Sequence, residues 1–349
     1  MPDPETLTPV IFGCAGLTLS EPEREFFRDV SPAGFILFAR NIADPEQTRA
    51  LVAELSSFCK TPKPLILIDQ EGGRVARLKA PNWRSGPAAG ELAALASSNI
   101  KIAEEAVWLH ARLMAVDLFD LGITVDCHPV IDLLMPGADM VIGDRSFGSD
   151  PVLVARLGRA ACKGLLDGGV LPVLKHLPGH GRAGVDSHKE LPFVDTTLDA
   201  LRDSDFVPFR DLSDMPLAMT AHIVFAALDN HFPVTLSADA MRAVRKETGF
   251  AGLVMSDDLS MGALGAFGDM ATLARKSLDA GVDLLLHCNG DMQEMQDIAG
   301  ALNDIVSPVG GHTNASLQQL CERLQVPEYF DEKAGLVRLD ELLRSGSRK

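Results

Sequence analysis

Residues 170–188 read VLPVLKHLPGHGRAGVDSH. The apolar run that opens this stretch closes on Lys175 and His176, and a turn of proline and glycine then passes into a loop of small residues. The pattern recurs. About eight runs rich in Val, Ile, Leu and Phe stand at 9–14, 33–39, 64–69, 122–127, 170–176, 217–222, 252–257 and 281–287. Helical patterns lie between or beside them near 45–60, 89–120, 151–168, 197–212, 237–248, 268–280 and 291–305, the first starting from an Asp-Pro cap. Such alternation is the signature of parallel-sheet α/β architecture. Eight units predict a (β/α)8 TIM-type barrel, because an open doubly wound sheet normally begins with a glycine-rich strand-to-helix turn. No G-x-G-x-x-G follows a strand, and the Gly72-Gly73 pair has arginines after it, so it reads poorly as a phosphate cradle.

Polar residues fall where such a barrel would use them. Asp69, Lys175, His176, His222, Asp257 and His287 each sit at or just past the last apolar residue of a predicted strand. One alone could cap a helix or a turn; six together mark the catalytic rim of a barrel.

A chain of 349 residues can form two ordinary domains or one large barrel. No Gly, Ser or Pro linker divides it and no repeat stands out beyond the βα period, so a single domain over 1–349 is expected, with 306–349 as terminal helices and tail. Hydrophobic residues at 46% and charged residues at 23% give the balance of a soluble globular protein. No apolar run reaches the ~18 residues of a spanning helix. The first ten residues, MPDPETLTPV, carry prolines and acids where a secretory leader carries positive charge and an apolar stretch, so a cytoplasmic location is expected. The six cysteines lack any C-x-x-C pairing and read as reduced core residues, and the sequon Asn314-Ala315-Ser316 would matter only in a secreted chain. A formal charge of −16 disfavours nucleic acid, whose affinity comes from lysines and arginines.

The crowded loop admits three chemistries. A zinc hydrolase needs ligands at fixed spacing; His176 and His180 are four apart, but Pro178 and Gly179 forbid the helix that would align them. An imine-forming enzyme would place a desolvated lysine at a strand end, which Lys175 fits, although neighbouring acids would keep it charged. In the third reading the loop reaches over the barrel mouth, and Asp186 orients His188 as a general acid and base. Neither a metal nor any other cofactor is expected. A barrel that merely binds its ligand is the non-catalytic alternative.

The stretch GLVMSDDLSMGAL, 252–264, ends an apolar run on two adjacent carboxylates. Burying them is costly unless cations or hydrogen bonds hold them. A carboxylate facing an anomeric carbon can form a covalent glycosyl-enzyme, and either Asp257 or Asp258 could serve. Adjacent strand residues face opposite ways, and at a strand end parity does not choose between them.

Four segments, LIDQEGGRVARL, VIGDRSFGSD, KHLPGHGRAGVDSH and MSDDLSMGAL, span positions 66 to 264 in order, and MTAHIVFAALD lies at 219–229. Together they resemble the bacterial β-N-acetylglucosaminidases of glycoside hydrolase family 3, in the single-domain cytoplasmic branch of cell-wall recycling. The resemblance implies a retaining exo-β-N-acetylglucosaminidase acting on a small amino-sugar substrate, an anhydro-muropeptide from peptidoglycan. It implies Asp257 as nucleophile, His188 as acid/base and Asp186 as its support. It also implies that Asp69, Arg77, Arg145, Lys175 and His176 contact the sugar hydroxyls. Charge makes sense of these roles: Asp257 must stay ionised, and Lys175 and Arg145 are expected to hold its pKa down. The chief departure is Leu177, where the family often has phenylalanine.

Overall fold

The computed structural model describes residues 8–61, 63–304, 317, 319–320 and 322–346; the sequon, Cys321 and the first part of the predicted tail lie outside the described residues. Among the described residues ten strands are formed: β1 (Thr8–Gly13), β2 (Pro32–Leu37), β3 (Leu65–Ile68), β4 (Val125–Asp126), β5 (Leu171–Leu177), β6 (Phe193–Val194), β7 (Leu217–Thr220), β8 (Val224–Phe225), β9 (Leu253–Asp258) and β10 (Leu284–His287). Strands β6 and β8 pair only with each other, and the remaining eight form a closed parallel barrel. Each barrel strand pairs with the next along the chain, and β10 returns to β1 through Val10–Leu285 and Phe12–His287. The predicted (β/α)8 class is the observed one.

Side chains of period two explain why the strands read as apolar runs rather than as alternating patterns. Leu65, Leu67, Leu171, Val173, Leu253 and Met255 point into the barrel and pack with one another. Their neighbours Ile66, Ile68, Leu174 and Val254 face the helical layer with Val10, Phe12 and Phe35. Both faces are dry, so polar residues are admitted only at the strand ends. Leu177, the departure noted above, is fully buried in the layer under the helices.

Helices Pro45–Ser56, Ile100–Asp120, Pro151–Asp167, Ala238–Thr248 and Met270–Ala280 begin on the side-chain caps Asp44, Asn99, Asp150, Ser237 and Asp269. Three expectations are corrected. The pattern over 89–120 breaks into Ala89–Ala94, a 3-10 turn and a new helix, because Asn99 accepts the Lys101 amide and starts it afresh. The pattern over 197–212 breaks into Leu198–Arg202 and Phe206–Asp211, where the Ser204 hydroxyl donates to the Ala200 carbonyl and meets Asp205. A helix over Glu21–Val30 was not expected; Ser20 and Glu23 form a reciprocal capping box at its start.

The terminal helix Glu332–Gly346 docks on Ile100–Asp120 through Arg338 and Glu105, 2.7 Å apart. Cys14, Cys127, Cys162 and Cys288 form no disulfide. Among the described residues no helix is long and apolar enough to cross a membrane.

Candidate active site

The carboxyl ends of the strands open into a cavity of about 410 Å³ lined by Asp69, Arg77, Arg145, Lys175, His176, His188 and Asp257, with Asp258 and Glu71. Inward parity brings three of these together: Asp69 continues Leu65 and Leu67, Lys175 continues Leu171 and Val173, and Asp257 continues Leu253 and Met255. A register shift between Lys175 and Leu177 accompanies the entry of His176 into the same cavity. Asp186 stands beside His188, its Oδ1 2.8 Å from the ring Nδ1 and 3.0 Å from the backbone nitrogen of the same residue. All eight residues to which the resemblance gives a role are therefore at one mouth.

Two of the six rim residues are elsewhere. His287 faces the helical layer, packing against Phe12 and lying 2.7 Å from Glu294. His222 is buried behind the strands rather than among the cavity-lining residues. Its ring contacts form a consistent chain: Nε2–H donates to the Asp258 carbonyl at 3.0 Å, so Nδ1 accepts from the Thr235 hydroxyl at 2.8 Å. Thr235 then accepts from Thr220, which receives the Asp257 amide. This ring of bonds holds the backbone of 257–258, and burial holds the His222 imidazole below its ordinary range.

The two adjacent carboxylates differ in what they have left to offer. Both oxygens of Asp258 are taken, Oδ1 by the Ser260 and Cys288 amides and Oδ2 by the Ser260 hydroxyl at 2.8 Å. Asp257 accepts one amide, from Asp258, at Oδ1. Burial alone would raise the Asp257 carboxyl, but the imidazoles of His222 and His176 and the Asp258 amide bring it below the usual carboxylate range. This corrects the expectation that Lys175 and Arg145 supply that effect. Those cations are committed elsewhere.

Arg77, Asp69, Lys175, Glu71 and Arg145 form an alternating chain of charges. Asp69 lies 2.9 Å from both Arg77 and Lys175, Glu71 lies 2.8 Å from Lys175, and Arg145 grips Glu71 with two bonds of 2.8 Å. Burial opposes ionisation of both carboxyls, but Lys175 with Arg77 lowers Asp69, and Lys175 with Arg145 lowers Glu71 far below its usual range. Lys175 is 2% exposed, and although burial works against its charge, the two carboxylates raise its pKa. An imine-forming amine needs the opposite shift, which removes the Schiff-base reading. Among the described residues no group of three or more His, Cys, Asp or Glu is placed to hold a metal ion. Gly72 serves packing: at φ +91°, an added Cβ would meet the Pro87 carbonyl at 2.4 Å and His110 at 2.6 Å.

Sequence reading missed Glu71, Asp132 and Ser187. Glu71 had a signal, since it stands two residues beyond Asp69. Asp132 had none: it sits 44 residues from His176, whose Nδ1 it holds at 2.7 Å while also accepting the His176 and His180 amides. Glu71→Ala is expected to destabilise the fold by roughly 3–5 kcal/mol, the usual cost of stranding a buried charge, here Arg145. Urea denaturation with an unchanged slope would measure it, and a loss below about 1 kcal/mol would contradict the network.

Behind the site, burial pushes His110 and His180 down to about 4 and His128 down to about 3. These rings are neutral in the folded protein, whereas in the unfolded chain they take up protons near pH 6.5. Their contribution to stability is complete above about pH 6.5 and is lost as pH falls toward 4, because there the unfolded state binds more protons. Asp126, pushed well above its usual range by burial, acts in the opposite direction. His222 adds a fourth such ring, against Asp126 and the less strongly raised Asp117 and Asp283, and the rings set the sign: Tm is expected to fall between pH 7 and 4.5, and a flat profile would show that these rings are not buried and neutral.

At one polar mouth of a closed parallel barrel stand a carboxylate held below its usual range and an aspartate-held histidine, an arrangement that suits glycoside hydrolysis. Residues 10–325 match the family model for the glycosyl hydrolase family 3 N terminal domain, and the chain belongs to that family. A beta-hexosaminidase of Alkalilimnicola ehrlichii is 40% identical over 286 residues, 81% of each chain. One from Aromatoleum aromaticum is 35% identical over 328 residues, 93% of this chain and 90% of the relative. The solved structure of NagZ from Neisseria gonorrhoeae, in complex with N-trifluoroacetyl-D-glucosamine, superposes with a TM-score of 0.84 at 31% identity, covering 97% of this chain and 98% of that one.

Proposed function

We propose that this chain is a retaining exo-β-N-acetylglucosaminidase that removes terminal β-linked N-acetylglucosamine by double displacement. In the first step an Asp257 oxygen attacks the anomeric carbon while protonated His188 donates its proton to the glycosidic oxygen, which leaves with the bonding electrons. In the second, neutral His188 takes a proton from water; the water oxygen bonds to the anomeric carbon and Asp257 departs as a carboxylate. Asp186 stabilises the imidazolium that starts the first step and is formed again in the second. Asp69 accepts bonds from sugar hydroxyls, and Arg77, Arg145, Lys175 and His176 donate to them.

One observation carries this reading: Asp257, with an oxygen that no group among the described residues occupies, lines the same cavity as an imidazole held by its own carboxylate. The relatives named beta-hexosaminidase and the amino-sugar complex of the Neisseria protein support the choice of sugar. The resemblance in sequence extends the proposal to peptidoglycan-derived anhydro-muropeptides as substrates, a cytoplasmic location and a single domain across 1–349. The test is release of p-nitrophenol from the β-N-acetylglucosaminide against the β-glucoside. Equal rates on the two would remove the acetamide-specific reading. Failure to cleave an N-acetylglucosaminyl-anhydro-muramyl peptide would remove the aglycone.

A further inference from the structure

The loop that carries His188 is docked at three points. Ser187, buried between half-buried Asp186 and exposed His188, has its Oγ 2.9 Å from His180 Nε2. Its carbonyl accepts the Ala263 amide, and the His188 carbonyl accepts the Gly262 amide, each at 3.2 Å. Residues 262 and 263 belong to the turn that directly follows Asp257 and Asp258, so the acid/base loop rests on the segment that carries the opposing carboxylate. The fit leaves no room for a side chain at 262: an added Cβ would lie 2.9 Å from the carbonyl oxygens of both His188 and Lys189. Its backbone is not in the left-handed region, so a side chain would be excluded by the loop alone.

We propose that Gly262, with His180 acting through Ser187, positions the acid/base histidine by docking its loop onto the nucleophile's own turn. The proposal rests on the reading of His188 as acid/base. The side chain of His188 is 64% exposed and makes a single bond to Asp186, itself on the loop, so the imidazole has no anchor to the barrel of its own. Its position is inherited from the backbone on either side. His180 is fixed in turn, its amide bonded to Asp132, which also holds His176. One carboxylate thus ties a sugar-facing ring to the support of the loop.

Gly262→Ala tests the idea, with Gly265→Ala as control, since a Cβ at 265 meets nothing closer than 3.5 Å in the same turn. Two substrates are compared, an N-acetylglucosaminyl disaccharide whose leaving group needs a proton and a dinitrophenyl glycoside whose leaving group does not. Gly262→Ala is expected to lose about 10²-fold in kcat/KM on the disaccharide, the lower end of the worth of acid/base help, and far less on the aryl glycoside. Azide, which attacks the glycosyl-enzyme without a general base, should restore turnover on the aryl glycoside and yield the β-glycosyl azide. Gly265→Ala should behave as the parent. Ser187→Ala should show the same pattern to a smaller degree, and it decides the matter if Gly262→Ala does not fold.

Parallel measurement of His188→Ala separates the two ideas. If that variant shows the leaving-group and azide signatures while Gly262→Ala resembles the parent, docking does not position the histidine. If Gly262→Ala slows both substrates alike without azide rescue, its effect is structural and the proposal is overturned. If His188→Ala itself lacks the signatures, the acid/base reading fails and the docking proposal falls with it.

Discussion

Asp257→Ala is expected to abolish turnover on activated and natural glycosides alike, by more than about 10⁴-fold in kcat, the scale on which loss of a covalent nucleophile is felt. No neighbour can replace it. Asp258 is tied down by the Ser260 side chain and by two amides, and Asp69 and Glu71 are neutralised by Lys175, Arg77 and Arg145. The variant should keep its fold, because the Asp257 side chain accepts only the amide of the next residue. A mechanism-based fluorosugar should add its mass to the peptide containing Asp257 in the parent and to nothing in the variant. An adduct on Asp258, or activity within tenfold of the parent, would contradict the assignment.

His188→Ala is expected to divide substrates by leaving group. Acid/base assistance is typically worth 10²–10⁴-fold, and that loss should appear in kcat/KM for disaccharides. Dinitrophenyl glycosides should form the glycosyl-enzyme at near-parent rates and then stall, since no base activates water. A pre-steady-state burst followed by slow release would report that stall. Equal loss on both substrate types would mean that His188 has some other role. Asp186→Asn should give a milder form of the same pattern, because the imidazolium would lose the carboxylate 2.8 Å from Nδ1.

Much of the barrel was legible because both faces of its strands are buried. A dry interior and a dry helical layer leave unbroken apolar runs, and polar residues can appear only where a strand leaves the barrel. That is why Asp69, Lys175, His176 and Asp257 could be picked out. It is also why His287 was misplaced, since position at a strand end does not report which face a side chain takes. Capping signals were readable where an Asp, Asn or Ser stood alone before a helix. The Ser20/Glu23 box was equally readable and was missed, and Ser204 ended a helix through a hydroxyl bond that apolar periodicity does not register.

The amino-acid sequence by itself determined the βα order, the strand ends that carry chemistry and, through long ordered segments, the family. Those are properties of local pattern, encoded within a few residues of each other. Only the tertiary structure decided which of two adjacent carboxylates has an oxygen to spare, that Lys175 is held charged by Glu71 as well as Asp69, and that His188 rests on the turn beyond Asp257. The last two, and the Cys288 amide on Asp258, depend on groups tens of residues apart whose distance is set by closing the barrel, and hydrogen bonding and desolvation act over ångströms rather than along the chain.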